Sequence, residues 1–173
     1  KVIELDTDTA FAQSKYLNNN IAQLYRYDIK DNTKALAYYN REIELSPESA
    51  VGYRNRASLY EDELNDLEQA EADYSKAIAL APEDTINYYL RAQLYMTQGL
   101  FDQALADYTT AVEIDPTDMD FLYARAFLYQ DKFNDYEAAL RDYLKVKELD
   151  TDTAFAQSTY LYNNIALLYR YDI

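Results

Sequence analysis

A repeated pattern of alanine and tyrosine constrains the fold of this chain more than any other feature. One series has an alanine three residues before a tyrosine, and a second series has an alanine four residues before another tyrosine. The alanines of the first series are Ala22, Ala57, Ala92, Ala126 and Ala166, and their tyrosines are Tyr25, Tyr60, Tyr95, Tyr129 and Tyr169. The second series is Ala35, Ala70, Ala104 and Ala139, with Tyr39, Tyr74, Tyr108 and Tyr143. Because steps of three and four residues follow one face of a helix, each period predicts two amphipathic helices packed as a hairpin.

A longer period of 144 residues contains the shorter one. Residues 1–29 match residues 145–173 at 25 of 29 positions. The differences are Ile3/Lys147, Lys15/Thr159, Asn18/Tyr162 and Gln23/Leu167. Packing tolerates more change than this, so we infer a recent duplication and expect further copies in the parent protein. No initiator Met or signal-like segment stands at Lys1, and we therefore expect a fragment or a processed product.

The order of residues within one period resembles the tetratricopeptide repeat (TPR), whose period is about 34 residues. The clearest copy contains Tyr88, Ala92, Tyr95, Gly99, Ala104, Tyr108, Ala111 and Pro116. The resemblance covers essentially the whole chain. It implies an all-α fold, a right-handed superhelical solenoid of antiparallel helix-turn-helix hairpins, in which hairpins stack because one hairpin cannot bury its own apolar faces.

Closing residues at Thr7, Pro47, Pro82, Pro116 and Thr151 set the predicted boundaries. We predict the end of a preceding second helix (1–6), a first repeat with a long first helix (7–46), three further repeats (47–81, 82–115 and 116–150) and the first helix of a fifth (151–173, duplicating 7–29), all in one continuous solenoid. About five extra residues after Thr7 and Thr151 are expected to lengthen the next first helix, with a looped insertion as the alternative.

Smaller departures from the pattern mark the ends of helices. Repeats one, two and four carry one extra residue between their helices and lack the counterpart of Gly99. Ser46 and Asp115, each followed by proline, are predicted to cap first helices, and Asp66 and Asp135 to cap second helices.

Composition argues against several functions. The chain has 16 basic and 31 acidic residues and a formal net charge of −15, which disfavours nucleic acid and anionic lipid as partners. The absence of Cys and His removes the usual nucleophile, general base and zinc ligands. We therefore predict no enzyme activity, no cofactor, no metal site and no membrane insertion, and a soluble protein that is either cytoplasmic or extracellular.

Three arginines and three aspartates recur in register. Arg56, Arg91 and Arg125 precede the alanine of the first series, and Asp73, Asp107 and Asp142 precede the tyrosine of the second. Repeat one has Ile21 and Tyr38 instead, so both members are lost together. The joint replacement predicts structural ion pairs at the hairpin interface, and the alternative is that the arginines bind an anionic ligand.

The resemblance to TPR proteins implies that first helices line a concave groove for a peptide or protein. The residues carried over by position are Tyr16, Asn19, Gln23, Arg54, Ser58, Tyr89, Gln93, Tyr123, Phe127, Asn163 and Leu167. This aromatic and amide surface suits an extended backbone. The version of the groove that holds a C-terminal carboxylate is matched only by Asn19, Asn20 and Arg54, and it is not predicted here.

Two functions follow from these patterns. The favoured one is a protein–protein interaction scaffold that presents this groove to a peptide or protein partner. The alternative is a structural building block of a long array or a head-to-tail self-assembling fibre, with Tyr25, Leu168 and Tyr169 as junction residues between copies.

Overall fold

The computed structural model describes residues 15–150 and 158–171, and it describes side-chain environments for residues 17–150 and 160–170. Every regular element in these ranges is helical. The helices are α1 (Lys15–Gln23), α2 (Asn32–Leu45), α3 (Ala50–Leu59), α4 (Leu67–Leu80), α5 (Thr85–Gln98), α6 (Phe101–Ile114), α7 (Met119–Leu128), α8 (Tyr136–Leu149) and α9 (Ser158–Leu168). Short π-helical turns follow α1, α3 and α7, and a 3₁₀ turn, Tyr169–Tyr171, follows α9.

The chain forms two compact units, Lys1–Asn87 and Tyr88–Ile173. In the first unit α2 packs against both α1 and α3, and α3 packs against α4. In the second unit α7 packs against α6 and α8, and α9 packs against α8. The first helices α1, α3 and α7 therefore lie beside their own second helices, as the sequence pattern predicts.

The recurring alanines allow the paired helices to approach closely. Ala22 and Ala35 are fully buried in one cluster with Tyr39 and Leu59 in the first unit. The cluster at α5 and α6 is built in the same way, from Ala92, Tyr95, Ala104, Tyr108 and Leu128. A methyl side chain at the contact lets the backbones come together, and the tyrosine ring fills the space beside it.

The extra residue between helices in three repeats is absorbed by a π-helical turn and not by a looser loop. These turns are Leu24–Ile29, Tyr60–Leu64 and Tyr129–Phe133. Each is followed by a left-handed residue, Lys30, Asn65 or Asn134, whose N–H donates to the carbonyl five residues earlier. Repeat three has no extra residue, and the left-handed position there is Gly99, with φ 75°.

The predicted caps are correct for second helices and wrong for first helices. Asp66 and Asp135 accept bonds from the N–H groups of Gln69 and Ala138, at 3.2 and 3.0 Å. First helices begin three residues later than predicted, with Ser49 and Asp118 as the caps of α3 and α7. The predicted caps, Ser46 and Asp115, lie in the turn before the helix, where the carbonyl of Ser46 accepts a bond from the N–H of Ser49 at 2.9 Å.

The predicted lengthening of two first helices concerns residues 7–14 and 151–157, which lie outside the described ranges. The repeat boundaries given above stay a prediction.

Candidate protein-interaction surface

Ion pairs connect the first and second helices of three hairpins. Nε and Nη2 of Arg91 donate to the two carboxylate oxygens of Asp107, at 2.7 and 2.8 Å. The same two-bond geometry joins Arg56 to Asp73 and Arg125 to Asp142. All three carboxylate side chains are less than 10% exposed. Each arginine is therefore engaged by an aspartate of its own hairpin, in the bidentate arrangement that gives the strongest charge-assisted bonds.

Repeat one replaces the ion pair with an aromatic stack. Tyr38 stands where the other repeats have aspartate, and its ring lies 5.5 Å from that of Tyr25 at an interplanar angle of 13°. In repeats two and three the equivalent tyrosines, Tyr60 and Tyr95, lie near the guanidinium groups of Arg56 and Arg91. The joint loss of arginine and aspartate thus leaves an aromatic contact and no charged side chain at these two positions.

A polar side chain four positions after the first-helix alanine forms a hydrogen bond with the second-helix tyrosine in two repeats. These polar residues were not predicted from the sequence. The hydroxyl of Tyr74 donates to Glu61 at 2.9 Å, and that of Tyr143 donates to Gln130 at 3.1 Å. Burial raises the pKa of Glu61. The spacing of four residues from Ala57 and Ala126 is the signal that could have revealed these partners.

Arg26 occupies this position in repeat one and was also missed. Its side chain is 3% exposed. Nη2 donates to the carbonyl of Ser58 at 3.0 Å and forms a short contact with the carboxylate of Asp62, while Nε lies 3.9 Å from Glu63. A buried arginine therefore connects the end of the first hairpin to the acidic end of α3.

The predicted groove residues of the first unit are mostly engaged within the protein. Asn19 accepts a bond from Asn55 at 2.6 Å. Arg54 donates to Asp84 at 2.6 Å and to Asn87 at 3.1 Å. Ser58 Oγ lies 3.0 Å from the hydroxyl of Tyr74. Gln23 is exposed to solvent, and Tyr16 lies in α1 with its side chain outside the described part.

Two predicted groove tyrosines of the second unit also have internal partners. Tyr89 contacts the rings of Tyr108 and Phe121, with centroids 5.7 and 5.3 Å away. Tyr123 contacts Tyr143 at 5.4 Å, and its hydroxyl accepts a bond from Asn164 at 3.2 Å.

The surroundings of Tyr89 are acidic. Burial raises its pKa, and the negative charges of Asp120 and Asp118 raise it further. The surface beside this ring is therefore better suited to a positive group than to a negative one.

The remaining groove residues of the second unit are open to solvent. Phe127 is 45% exposed and Leu167 is 39% exposed. Both come directly after the alanine of the first series, on α7 and α9. Gln93 and Asn163 are also exposed. These four side chains form the exposed part of the predicted groove in the second unit, and we call them the groove set.

The three predicted junction residues lie in different environments. Tyr25 is stacked on Tyr38, and Leu168 is fully buried in the core of the second unit. Tyr169 is 56% exposed. Leu168 packs with Leu161 and Ile165, so its side chain is not available to a partner in this structure.

In the ranges that the structure describes, no group of three or more acidic side chains could hold a metal ion. None of the helices in those ranges is long and apolar enough to cross a membrane.

The architecture defines a class of protein, that of helical-hairpin repeats. Three models of the tetratricopeptide repeat match the chain, at residues 52–84, 88–118 and 107–141. The chain therefore belongs to the tetratricopeptide repeat family, and its predicted all-α, TPR-like fold class is confirmed. No curated protein matches this sequence.

Solved structures of TPR proteins resemble this chain. YrrB, described as a TPR protein with an unusual peptide-binding site, is 20% identical with a TM-score of 0.70, over 93% of this chain and 79% of that one. MamA is 17% identical with a TM-score of 0.74, over 92% and 82%. The first TPR domain of Spaghetti (RPAP3), solved with the HSP90 peptide SRMEEVD, is 23% identical with a TM-score of 0.61, over 74% and 96%. The shared feature is the fold, and family and fold together point to a non-catalytic interaction scaffold.

Proposed function

We propose that this chain is a non-catalytic scaffold whose first helices bind an extended peptide segment of a partner protein. The observation that carries the proposal is the groove set, which combines two apolar and two amide side chains exposed on first helices of the second unit. Amides can pair with the N–H and C=O groups of an extended backbone, and Phe127 and Leu167 offer flat apolar contact. Peptide binding by YrrB and by the Spaghetti domain supports the same use of the fold.

Charge favours a partner with basic side chains. The net charge of the chain is −15, and Asp118 and Asp120 lie near Tyr89. The arginines that could attract a carboxylate are held by Asp73, Asp107 and Asp142. A neutral or basic peptide therefore fits this surface better than one that ends in acidic residues.

A peptide array probed with the purified chain tests the proposal, followed by titration calorimetry on the best binder. Leu167→Ser should weaken binding about tenfold, because the leucine contributes apolar contact. Leu144→Ser on the second helix α8 is the matched control, since Leu144 is 38% exposed, close to the value for Leu167. Equal effects of the two substitutions, or no binding by any basic or neutral peptide, would refute the use of the groove.

A second candidate function is association between copies of the chain, as a building block of a longer assembly. It is favoured by the duplicated segment, in which residues 1–29 match residues 145–173 at 25 of 29 positions. Negative-stain electron microscopy and sedimentation at several concentrations test it. Filaments or particles that grow with concentration support association, and discrete particles of constant mass at every concentration exclude it.

A further inference from the structure

An apolar hollow of about 480 Å³ lies on the surface of the second unit, formed by α6, α7 and α8. Its apolar lining is Val112, Pro116, Leu122 and Leu144. Val112 and Leu122 are buried, whereas Pro116 is exposed and Leu144 is 38% exposed. The hollow therefore has an apolar floor and is open to solvent, which suits the apolar part of a ligand.

The hollow is open because Leu122 stands where the two preceding repeats have tyrosine. Tyr53 and Tyr88 each lie four residues before the alanine of the first series, as Leu122 does. In the first unit, the ring centroid of Tyr53 lies 6.0 Å from Nζ of Lys76, the counterpart of Lys145. A tyrosine at this position thus extends along the second helix of its own hairpin, and the shorter leucine of repeat four leaves that space to a ligand.

Two more replacements in repeat four change the second helix at this surface. Leu144 directly follows the tyrosine of the second series, where the other three repeats have asparagine, serine or threonine. Arg141 lies two residues before that tyrosine, where the other three repeats have alanine. Repeat four therefore adds an apolar side chain and a positive charge at the same hollow.

The charged residues around the hollow leave one positive charge without a partner. Asp142 is held by Arg125 at 2.7 Å, and Lys145 pairs with Glu148 at 3.0 Å. Arg141 is exposed and forms no ion pair with any residue that the structure describes. Its guanidinium can therefore bind a carboxylate of a ligand through two parallel hydrogen bonds.

We propose that this hollow binds a protein segment in which apolar side chains stand next to a carboxylate. The apolar side chains lie on Val112 and Leu122 beside Leu144, and the carboxylate pairs with Arg141. Because the hollow is open at Pro116 and Leu144, it fits side chains of a peptide better than a lipid chain, which needs enclosure. The groove set carries no positive charge, so the second unit has two peptide sites with opposite charge preference.

The test is a methyl NMR titration of the intact chain at physiological ionic strength. The probe is a peptide with two adjacent leucines followed by one glutamate, capped at both ends so that the glutamate is its one charge. Saturable shift changes are expected at the methyl groups of Val112, Leu122 and Leu144. The same peptide with glutamine should bind about tenfold more weakly, because the bond to Arg141 loses its charge assistance. No saturable shifts at these methyl groups, or equal affinity for the two peptides, would overturn the inference.

Two variants test the shape and the charge of the hollow separately. Leu122→Tyr introduces the residue that repeats two and three have at this position, and it should weaken binding at least tenfold by filling the hollow. Arg141→Glu should lose the glutamate peptide and bind a lysine version of it better than the unmodified chain does. This exchange of preference separates recognition from loss of fold. Unchanged affinity in Leu122→Tyr would contradict the inference.

Arg41→Glu is the matched control for charge, because Arg41 also lies on a second helix and its side chain is 49% exposed. It should leave the affinity for the glutamate peptide unchanged, since distant charges are screened. Leu167→Ser, in the groove set, should leave it unchanged as well, so that failure of the groove and failure of this site are distinguishable. Equal losses in Arg41→Glu and Arg141→Glu would show a non-specific charge effect and refute the site.

Discussion

Replacing Asp142 with Asn should destabilise the second unit more than a surface substitution does. Asp142 accepts bonds from Nε and Nη2 of Arg125 at 2.7 and 2.9 Å. The aspartate side chain is 6% exposed and the arginine side chain is 15% exposed. Asparagine keeps the shape, but its amide nitrogen faces an N–H group of Arg125. One hydrogen bond is therefore lost, and a mostly buried guanidinium loses its counter-ion.

The expected cost follows from this burial. Breaking a fully buried ion pair costs about 3–5 kcal/mol, and a hydrogen bond to a charged group contributes about 1.5–3 kcal/mol. Because Arg125 keeps some contact with solvent, we expect a loss of about 2 kcal/mol, near the lower range. The double variant Arg125→Leu, Asp142→Leu should be close to the unmodified chain, since apolar replacement of both partners is often neutral. Repeat one, with Ile21 and Tyr38, is a natural example of such a replacement.

Urea unfolding followed by circular dichroism measures the effect, with equal slopes required before the free energies are compared. Glu148→Gln on the same helix is the control, because it also removes one negative charge. Glu148 pairs with Lys145 at 3.0 Å, but these side chains are 71% and 42% exposed. The control should cost less than about 0.5 kcal/mol. A loss at Asp142 no larger than that of the control would refute a structural role and favour anion binding by the three arginines.

Three further predictions concern single positions. Arg26→Met should lower the free energy of unfolding by about 2 kcal/mol, because it removes a buried charge contact. Arg170→Met, at the exposed counterpart, should change it by less than about 0.5 kcal/mol. Comparable losses of stability in urea unfolding would contradict this reasoning. Lys30 has φ 63°, so Lys30→Gly should stabilise the chain by about 0.5–1 kcal/mol. Asn65→Gly (φ 51°) should stabilise it less, because asparagine tolerates this conformation. A lower melting temperature for Lys30→Gly would contradict the backbone strain inferred at Lys30. Burial raises the pKa of Tyr39 to about 12 from an ordinary value of 10.0, so the folded state keeps a proton that the unfolded state loses. The free energy of unfolding should therefore fall as the pH rises from about 10 through 12. Tyr39→Phe should reduce that fall in urea unfolding measured across this range.

The period of alanines and tyrosines was enough to predict an all-α hairpin fold. A small residue at a helix contact and an aromatic ring beside it are local requirements that any such hairpin must meet, so they appear directly in the sequence. The capping aspartates Asp66 and Asp135 were predictable for the same reason, since a cap acts within four residues.

The interaction surface was less predictable. Position within the repeat selected Tyr89 and Tyr123 along with Phe127 and Leu167, but only the last two side chains are well exposed. The first two contact aromatic rings on neighbouring helices. Whether a first-helix side chain is exposed or engaged depends on the size of its neighbours in the next helix, and the spacing of residues along one helix carries no information about that.

The sequence determined the helices, their pairing and the residues at each hairpin contact, because these depend on spacing within one repeat. Tertiary structure decided which faces are covered. The hexapeptide from Leu24 to Ile29 forms a π-helical turn in which Arg26 is buried, whereas Arg170 is exposed in the described part of its identical copy, which begins at Leu168. In the first case α2 and α3 pack on the segment and supply partners for its arginine. Burial and the charge contact are thus set by neighbouring elements, which the six residues themselves cannot specify.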